Sequence, residues 1–304
     1  MTDKRISKVV IVGGGTAGWM AAAALGKLMG KNLDIRLIES DQIGTVGVGE
    51  ATIPLLTGFH QLLGIDEQEF MRAAQVTFKL GIQFENWGEV GDSYLHGFGV
   101  PGQGCWACPF HHFWVKSVQL GNKAPLTEYL LHQHAASADK FQLDLESGLS
   151  YAYHFDATLY AQYLRTFSEQ HGVRRIEGKI VDVATSQING EIESLTLESG
   201  EQISGDLYID CSGFRALLIE QALHTGYDDW THWLPCDRAV AVQTKSTKPT
   251  EPYTRSNAHN TGWQWQIPLQ QRVGNALDNC SQNLGDEDAT QHLHQNEDGE
   301  QNTE

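Results

Sequence analysis

Two hydrophobic periods divide the chain. Lys8-Val9-Val10-Ile11-Val12 is a short apolar run, β-branched from Val9 to Val12, and predicts a strand buried on both faces. A glycine turn follows, then Ala21 to Ala24 and Leu25, which favour a helix that Gly30 would end. Leu33 to Glu39 alternates and predicts a second strand. Val76 to Phe84 also alternates, placing Val76, Phe78, Leu80, Ile82 and Phe84 on one buried face and Thr77, Lys79 and Gln83 on the other. Asp156 has the character of an N-cap. Leu159, Tyr163, Leu164 and Phe167 then share a helical face, and Gly172 closes the helix. From Arg174 the pattern shortens into strands separated by turns at Asn189-Gly190 and Glu198-Ser199-Gly200. This meander leads to Gly205–Gly213, an apolar strand followed by Asp210 and a small-residue turn.

The first β-α-β unit carries chemistry. Gly13, Gly15 and Gly18 form G-x-G-x-x-G between strand and helix. The first glycine permits the turn, the second lets a pyrophosphate reach the backbone, and the third lets helix and strand pack closely. The helix N-terminus offers N–H groups and a partial positive charge to the phosphates. Glu39 lies 21 residues after Gly18, where an acid meets ribose hydroxyls; a solvated strand end explains the same residue. This unit leaves FAD and NAD both open. A β-meander between helix and closing strand is more typical of FAD proteins.

Gly47 and Gly49 flank Val48 in a second glycine-rich loop that ends at Pro54; it reads either as a close approach to a flat ligand or as an ordinary connection. Lys79 points to solvent or into a cavity. Residues 94–114 are rich in aromatics, histidines and glycines and predict a loop that covers an apolar substrate or packs on the body. Adjacent His111 and His112 are expected to diverge, and no metal site is predicted. Cys105-Trp106-Ala107-Cys108 is a CxxC without a second pair.

Composition narrows the classes. The hydrophobic content of 40% supports a sizeable core in 304 residues. A net charge of −17 argues against nucleic-acid or anionic-membrane binding by nonspecific electrostatics. No apolar run reaches the roughly 18 residues that a membrane helix needs. Five sparse cysteines and no signal peptide fit a reducing, cytoplasmic setting. Residues 276–304 hold eight acids, no Lys or Arg, and no aromatic residue, Val or Ile. Such a segment offsets little ordering entropy by burial. The expected division is therefore a core over 1–275 and a poorly ordered acidic tail over 276–304.

Four segments together resemble the flavin-dependent halogenases, in particular the tryptophan halogenase family: Gly13–Gly18; Gly47-Val-Gly-Glu-Ala-Thr-Ile-Pro54; Phe78-Lys79-Leu-Gly81; and Gly262-Trp-Gln-Trp-Gln-Ile-Pro268, which fits that family's W-x-W-x-I-P signature at Trp263, Trp265, Ile267 and Pro268. The resemblance implies an α/β fold with a Rossmann-like, two-dinucleotide-fold FAD-binding core, a β-meander and a partial substrate-covering region. It implies FAD held by Gly13, Gly15, Thr16, Ala17, Gly18, Glu39 and Ile180, with Val48, Gly49, Glu50 and Ala51 as a strap beside the flavin. The FAD arrives reduced (FADH2) from a separate flavin reductase. With oxygen and a halide co-substrate, chloride or bromide, the family generates hypohalous acid. Lys79 matches the lysine that guides this oxidant to a small aromatic substrate such as tryptophan or another indole. His96 and Phe98 match substrate-stacking positions, with Gly97 where the family often has proline. Trp263 and Trp265 match residues that keep substrate from the flavin. The resemblance allows a homodimer and implies no membrane or nucleic-acid partner.

Members of that family usually run well beyond this length, and the further portion supplies a catalytic glutamate and the halide site. Two alternatives therefore stand beside the halogenase: an FAD-dependent monooxygenase, and a catalytically impaired flavin-binding remnant lacking the C-terminal portion.

Overall fold

A computed structural model describes residues 5–44, 47, 49–143, 149–295 and 300–301. In chain order the elements begin with β1 (Lys8–Val12), α1 (Thr16–Met29), β2 (Asp34–Glu39), β3 (Glu50–Ala51), α2 (Leu55–Leu63) and α3 (Glu67–Ala73). They continue with β4 (Thr77–Lys79), β5 (Gly81–Glu85), β6 (Ser93–Gly97), α4 (Phe110–Gln119), α5 (Leu131–Ser137), β7 (Ala152–Phe155) and α6 (Ala157–Gln170). Next come β8 (Arg174–Glu177), β9 (Ile180–Thr185), β10 (Ile192–Leu197), β11 (Gln202–Ile203) and β12 (Leu207–Asp210). The last are β13 (Arg238–Lys245), β14 (Thr254–His259), β15 (Gly262–Pro268), β16 (Arg272–Asn279), α7 (Asp286–Gln295) and β17 (Glu300–Gln301). They fall into two units, each assembled from three stretches of chain.

The first unit comprises 1–47, 62–74 and 157–229. Its parallel sheet has the order β12-β1-β2-β8, so the two strands predicted around the glycine turn are neighbours. Helix α1 packs against α6, where Gly26 sits so close to Val173 that a Cβ would approach Cγ2 to 2.9 Å. The meander forms the separate antiparallel sheet β11-β10-β9. Val10, Val12 and Ile38 of the parallel sheet share one core with Leu195, Leu197 and Ile203 of the meander and with Leu218. Both predicted turns, at 186–191 and 198–201, connect the meander strands.

The second unit comprises 48–61, 75–156 and 230–304. It holds the seven-stranded sheet β17-β13-β16-β15-β14-β5-β6 and the three-stranded sheet β3-β7-β4. The alternation over 76–84 does not make one strand. The chain switches sheets at Leu80–Gly81, so that β4 pairs with β7 and β5 with β6 and β14. The polar positions Thr77 and Lys79 are buried, as are Val76 and Leu80 of the expected core face, so both faces are covered here instead of one. Gly81 permits the switch: a Cβ there would stand 2.5 Å from the His96 carbonyl oxygen. The segment 94–114 is likewise partly regular, ending β6 and beginning α4, and the His111 and His112 rings lie 4.0 Å apart rather than diverging.

Residues 276–279 finish β16, and 286–295 form α7, in place of the poorly ordered run that their composition predicts. Leu277, Ala289 and Leu293 make a small buried cluster with Val240, Val242 and Leu284 around it. The ladder supplies what propensity lacks, because β16 is hydrogen-bonded to β13 on one side and β15 on the other. Asp286, Glu287 and Asp288 open α7 and His292 and His294 close it, an order that suits the helix dipole. Arg238 anchors the helix start through two hydrogen bonds to Asp286, at 2.6 and 2.8 Å.

Candidate active site

In the first unit, the turn after β1 is built for close approach. Gly13 has φ +107°, and a Cβ there would stand 2.2 Å from the Cys211 carbonyl oxygen. A Cβ on Gly18 would stand 1.9 Å from the Gly13 carbonyl oxygen. At Gly15 the case is opposite: a Cβ would meet no atom within 4 Å, so the backbone faces open space. Gly15 is also the N-cap of α1, with no side-chain cap and no acid in the first turn. The N-terminal N–H groups at Thr16, Ala17 and Gly18 thus sit beside an open cradle, which fits a pyrophosphate.

Glu39 ends β2 as expected, but its carboxylate already has protein partners. Arg175 Nε donates at 2.6 Å and the Trp19 indole at 3.3 Å. Ile180 opens β9 next to a cleft of about 310 Å³ lined by Ser40, Gln42, Glu177, Lys179, Glu198 and Ser199. Asp210, which sequence reading placed only at a strand end, is a hub. One carboxylate oxygen accepts from the Ser212 N–H and hydroxyl, the other from the Leu218 and Ile219 N–H groups. It thereby caps the π-helical turn Leu217–Ala222 that follows β12.

In the second unit, Lys79 is 3% exposed. Burial lowers its pKa to about 8, because the charged ammonium is the form that desolvation penalises. Among the described residues no carboxylate lies within ion-pair distance of Nζ. Nζ instead stands 5.5 Å from the centroid of the Phe98 ring, a cation–π geometry. The strand beneath it is clamped on every side. The Thr77 hydroxyl donates to the Pro268 carbonyl at 2.7 Å, the Leu80 N–H to Pro252 at 2.7 Å, and the Phe98 N–H to Leu80 at 3.0 Å. The Gln270 amide adds a bond to the Val76 carbonyl at 2.9 Å.

His154 lies beside this lysine and escaped sequence reading. On the β4–β7 ladder Thr77 pairs with His154 and Lys79 with Ala152, so His154 is the diagonal neighbour of Lys79 on the same sheet face. Its Nδ1 is 3.1 Å from the Thr77 hydroxyl and its Nε2 is 2.9 Å from the Thr254 hydroxyl. Thr77 spends its proton on Pro268, so it accepts from Nδ1–H, and Thr254 donates to Nε2. That pattern fixes one neutral tautomer. Burial, and after it the charge of Lys79, hold the imidazole well below its ordinary pKa. A strand histidine opposite a threonine carries no periodic signal; only the pairing register reveals it.

The remaining expected residues fall in the same unit. Tyr94, His96 and Phe98 alternate along one face, and Phe84 stacks on Tyr94 at 5.3 Å and approaches His96 at 6.5 Å. Trp263 stands 5.8 Å from Trp87, which itself meets Phe84 edge-on at 5.6 Å, so these rings form one aromatic surface. The Trp265 indole donates to Asp278, whose carboxyl is pushed up by burial. Ile267 is buried under Gly49, where a Cβ would reach its Cγ2 at 3.4 Å. Glu50 and Ala51 pair with Phe155 and His154, and burial pushes the Glu50 carboxyl up. Val48 lies outside the described residues. The structure therefore brings Lys79, Phe98, Pro268 and the Gly49–Ala51 strap into one unit with the tryptophan signature.

A buried lysine tied through Thr77 to the last residue of W-x-W-x-I-P is a combination that can be compared with known proteins. The tryptophan halogenase family model matches residues 8–304. The chain belongs to the tryptophan halogenase family. Among curated relatives, tryptophan 7-halogenase RebH of Lentzea aerocolonigenes is 38% identical over 292 residues, covering 89% of this chain. Among solved structures, Xcc4156, a flavin-dependent halogenase from Xanthomonas campestris, aligns with a TM-score of 0.95 at 51% identity over 98% of this chain and 61% of its own. BrvH, a flavin-dependent halogenase from Brevundimonas sp. BAL3, aligns with a TM-score of 0.92 at 43% identity, over 99% of this chain and 62% of its own. The chain has the fold of these halogenases over the aligned 98–99% of its length, and it spans 55% of the length of RebH. Among the described residues no helix is long and apolar enough to cross a membrane.

Proposed function

We propose that this chain carries the core of a flavin-dependent halogenase that acts on an electron-rich aromatic, tryptophan or another indole. The observation that carries the reading is Lys79: buried, without a carboxylate partner among the described residues, and facing an aromatic ring. A structural lysine at that depth is ordinarily paired. An unpaired one is maintained for its chemistry.

FAD, delivered reduced by a separate flavin reductase, would supply with oxygen the oxidation of chloride or bromide to hypohalous acid. Within the first unit, the Gly15–Gly18 cradle would hold its pyrophosphate and the cleft next to Ile180 its adenosine end; for Gly49–Ala51 of the second unit, the family resemblance is what supports a flavin-side role. Open space at Gly15 and the uncapped start of α1 support this fit. Lys79 then acts in one of two ways. As an ammonium it donates a hydrogen bond to hypohalous acid. As a free amine it exchanges an N–H for an N–halogen bond and releases water. Burial keeps both forms accessible near neutral pH. Either way the oxidant is held beside the substrate instead of diffusing, and positioning of this kind is where the selectivity originates. Phe98 and His96 offer the aromatic edge on which an indole stacks. The exposed position of His96 supports access from solvent. Trp263 and Trp265, at alternate positions of β15, are read as the barrier between substrate and flavin. The reading includes a cytoplasmic setting.

The deciding assay supplies reduced FAD, bromide and indole to the chain. Bromoindole is expected, together with its loss in Lys79→Ala while FAD binding persists. Halogenation that survives in Lys79→Ala overturns the assignment, and an oxygenated product formed without bromide identifies a monooxygenase.

A further inference from the structure

The CxxC segment plays no part in the reading above, yet the fold prepares it for a reaction. Cys105 and Cys108 exchange both backbone hydrogen bonds, Cys105 N–H to the Cys108 carbonyl at 3.0 Å and Cys108 N–H to the Cys105 carbonyl at 3.1 Å. They form an antiparallel bridge closed by Trp106 and Ala107. In such a pair the Cα atoms are about 5.5 Å apart and both side chains leave the same face. Disulfides form across Cα separations of about 4.4–6.8 Å. The turn is held in place by its flanks. Gly102 donates to the Tyr129 carbonyl at 2.7 Å and leaves room for the Phe110 ring, which packs on Tyr129 at 5.0 Å. The Cys108 thiol rests 3.7 Å from the Pro109 carbonyl, Cys105 is exposed, and Trp106 is completely so.

We propose that Cys105 and Cys108 are a reversible dithiol–disulfide couple, a site of oxidative modification on an exposed loop that responds to hydrogen peroxide. The exposed Cys105 thiolate attacks one peroxide oxygen, the O–O bond breaks, and the departing hydroxide is protonated to water, leaving a sulfenic acid. The Cys108 thiol attacks that sulfur, the S–O bond breaks, and a second water leaves. The cysteine pair gives up two electrons and two protons, and one peroxide becomes two waters. A ring this short constrains the unfolded chain little, so the bond is a switch in redox state and not a staple for the fold. A second pair is disfavoured. Cys280 is buried, and burial together with Asp278 and Asp237 pushes the Cys236 thiol up, which suppresses its thiolate.

The test needs no halogenase activity, so it stands or fails apart from the proposed function. The full chain is reduced, freed of reductant and treated with one equivalent of hydrogen peroxide. It is then alkylated under denaturing conditions and mapped by mass spectrometry. The expected result is a mass lower by two hydrogen atoms, a fall from five alkylated thiols to three, a Cys105–Cys108 link, and full reversal by dithiothreitol. Cys105→Ser is expected to abolish the link and to leave Cys108 alkylated. Five alkylated thiols after treatment, a Cys236–Cys280 link, or sulfinic acid at Cys105 in place of a link each overturn the proposal.

Discussion

Lys79 is costly to the fold, and that cost predicts how it titrates. Its pKa is about 8 in the folded chain against 10.5 when exposed. Between those values the unfolded chain holds the proton that the folded chain has released. Stability therefore rises with pH across that window, and below about pH 8 the full penalty of a buried ammonium is present. Lys79→Met removes it. The variant is expected to gain about 1–3 kcal/mol in urea unfolding at pH 7, to lose the rise between pH 8 and 10, and to lose halogenation. An unchanged unfolding midpoint would show that the amine is solvated after all. Thr77 works in the other direction. Thr77→Val leaves the Pro268 carbonyl and the His154 Nδ1–H without their partner. It is expected to cost about 2–4 kcal/mol in the same measurement, since each buried orphan costs about 1–3 kcal/mol.

Elements differed in how openly the sequence displayed them. The β1–α1–β2 unit was readable because local signals agree: a β-branched run, a glycine turn, an alanine-rich helix and a glycine stop. The site strand was not. Alternation over 76–84 suggested one buried face with Thr77 and Lys79 opposite it, but the chain changes sheets at Gly81 and both faces over 76–80 are buried. Periodicity reports which residues share a face, not which face is buried. Motif resemblance named Lys79 and Phe98 without showing that they meet, and it passed over His154, which depends on pairing across 77 positions of sequence. Within the tail, tertiary ladders outweigh propensity over 276–279. Leu293 tests that account. It is 1% exposed and packs with Leu277 and Ala289. Leu293→Ala is expected to cost about 2–4 kcal/mol, with loss of amide protection across 286–295 in hydrogen exchange. Protection that is absent already in the parent chain would show that α7 contributes nothing to the unit.

For the whole molecule, the proposed pyrophosphate contacts and the proposed role of Lys79 fall in different units and are tested by different variants. The phosphate cradle belongs to the first unit and Lys79 to the second. A ligand that binds only the folded state stabilises it in proportion to its affinity, by about 2.7 kcal/mol at a hundredfold excess over Kd. Added FAD is therefore expected to raise the unfolding midpoint of the parent chain and of Lys79→Ala equally. Gly18→Ala should abolish that rise, because a Cβ there would stand 1.9 Å from the Gly13 carbonyl oxygen and force the turn open. The two variants sort the outcomes. If FAD stabilises the parent and Lys79→Ala but not Gly18→Ala, the cradle is the binding site and the lysine acts after binding. If Gly18→Ala still responds in full, the pyrophosphate lies elsewhere, and the roles assigned to Thr16, Ala17 and Ile180 go with it. If Lys79→Ala alone loses the response, the lysine is a cofactor ligand and not the guide for the oxidant.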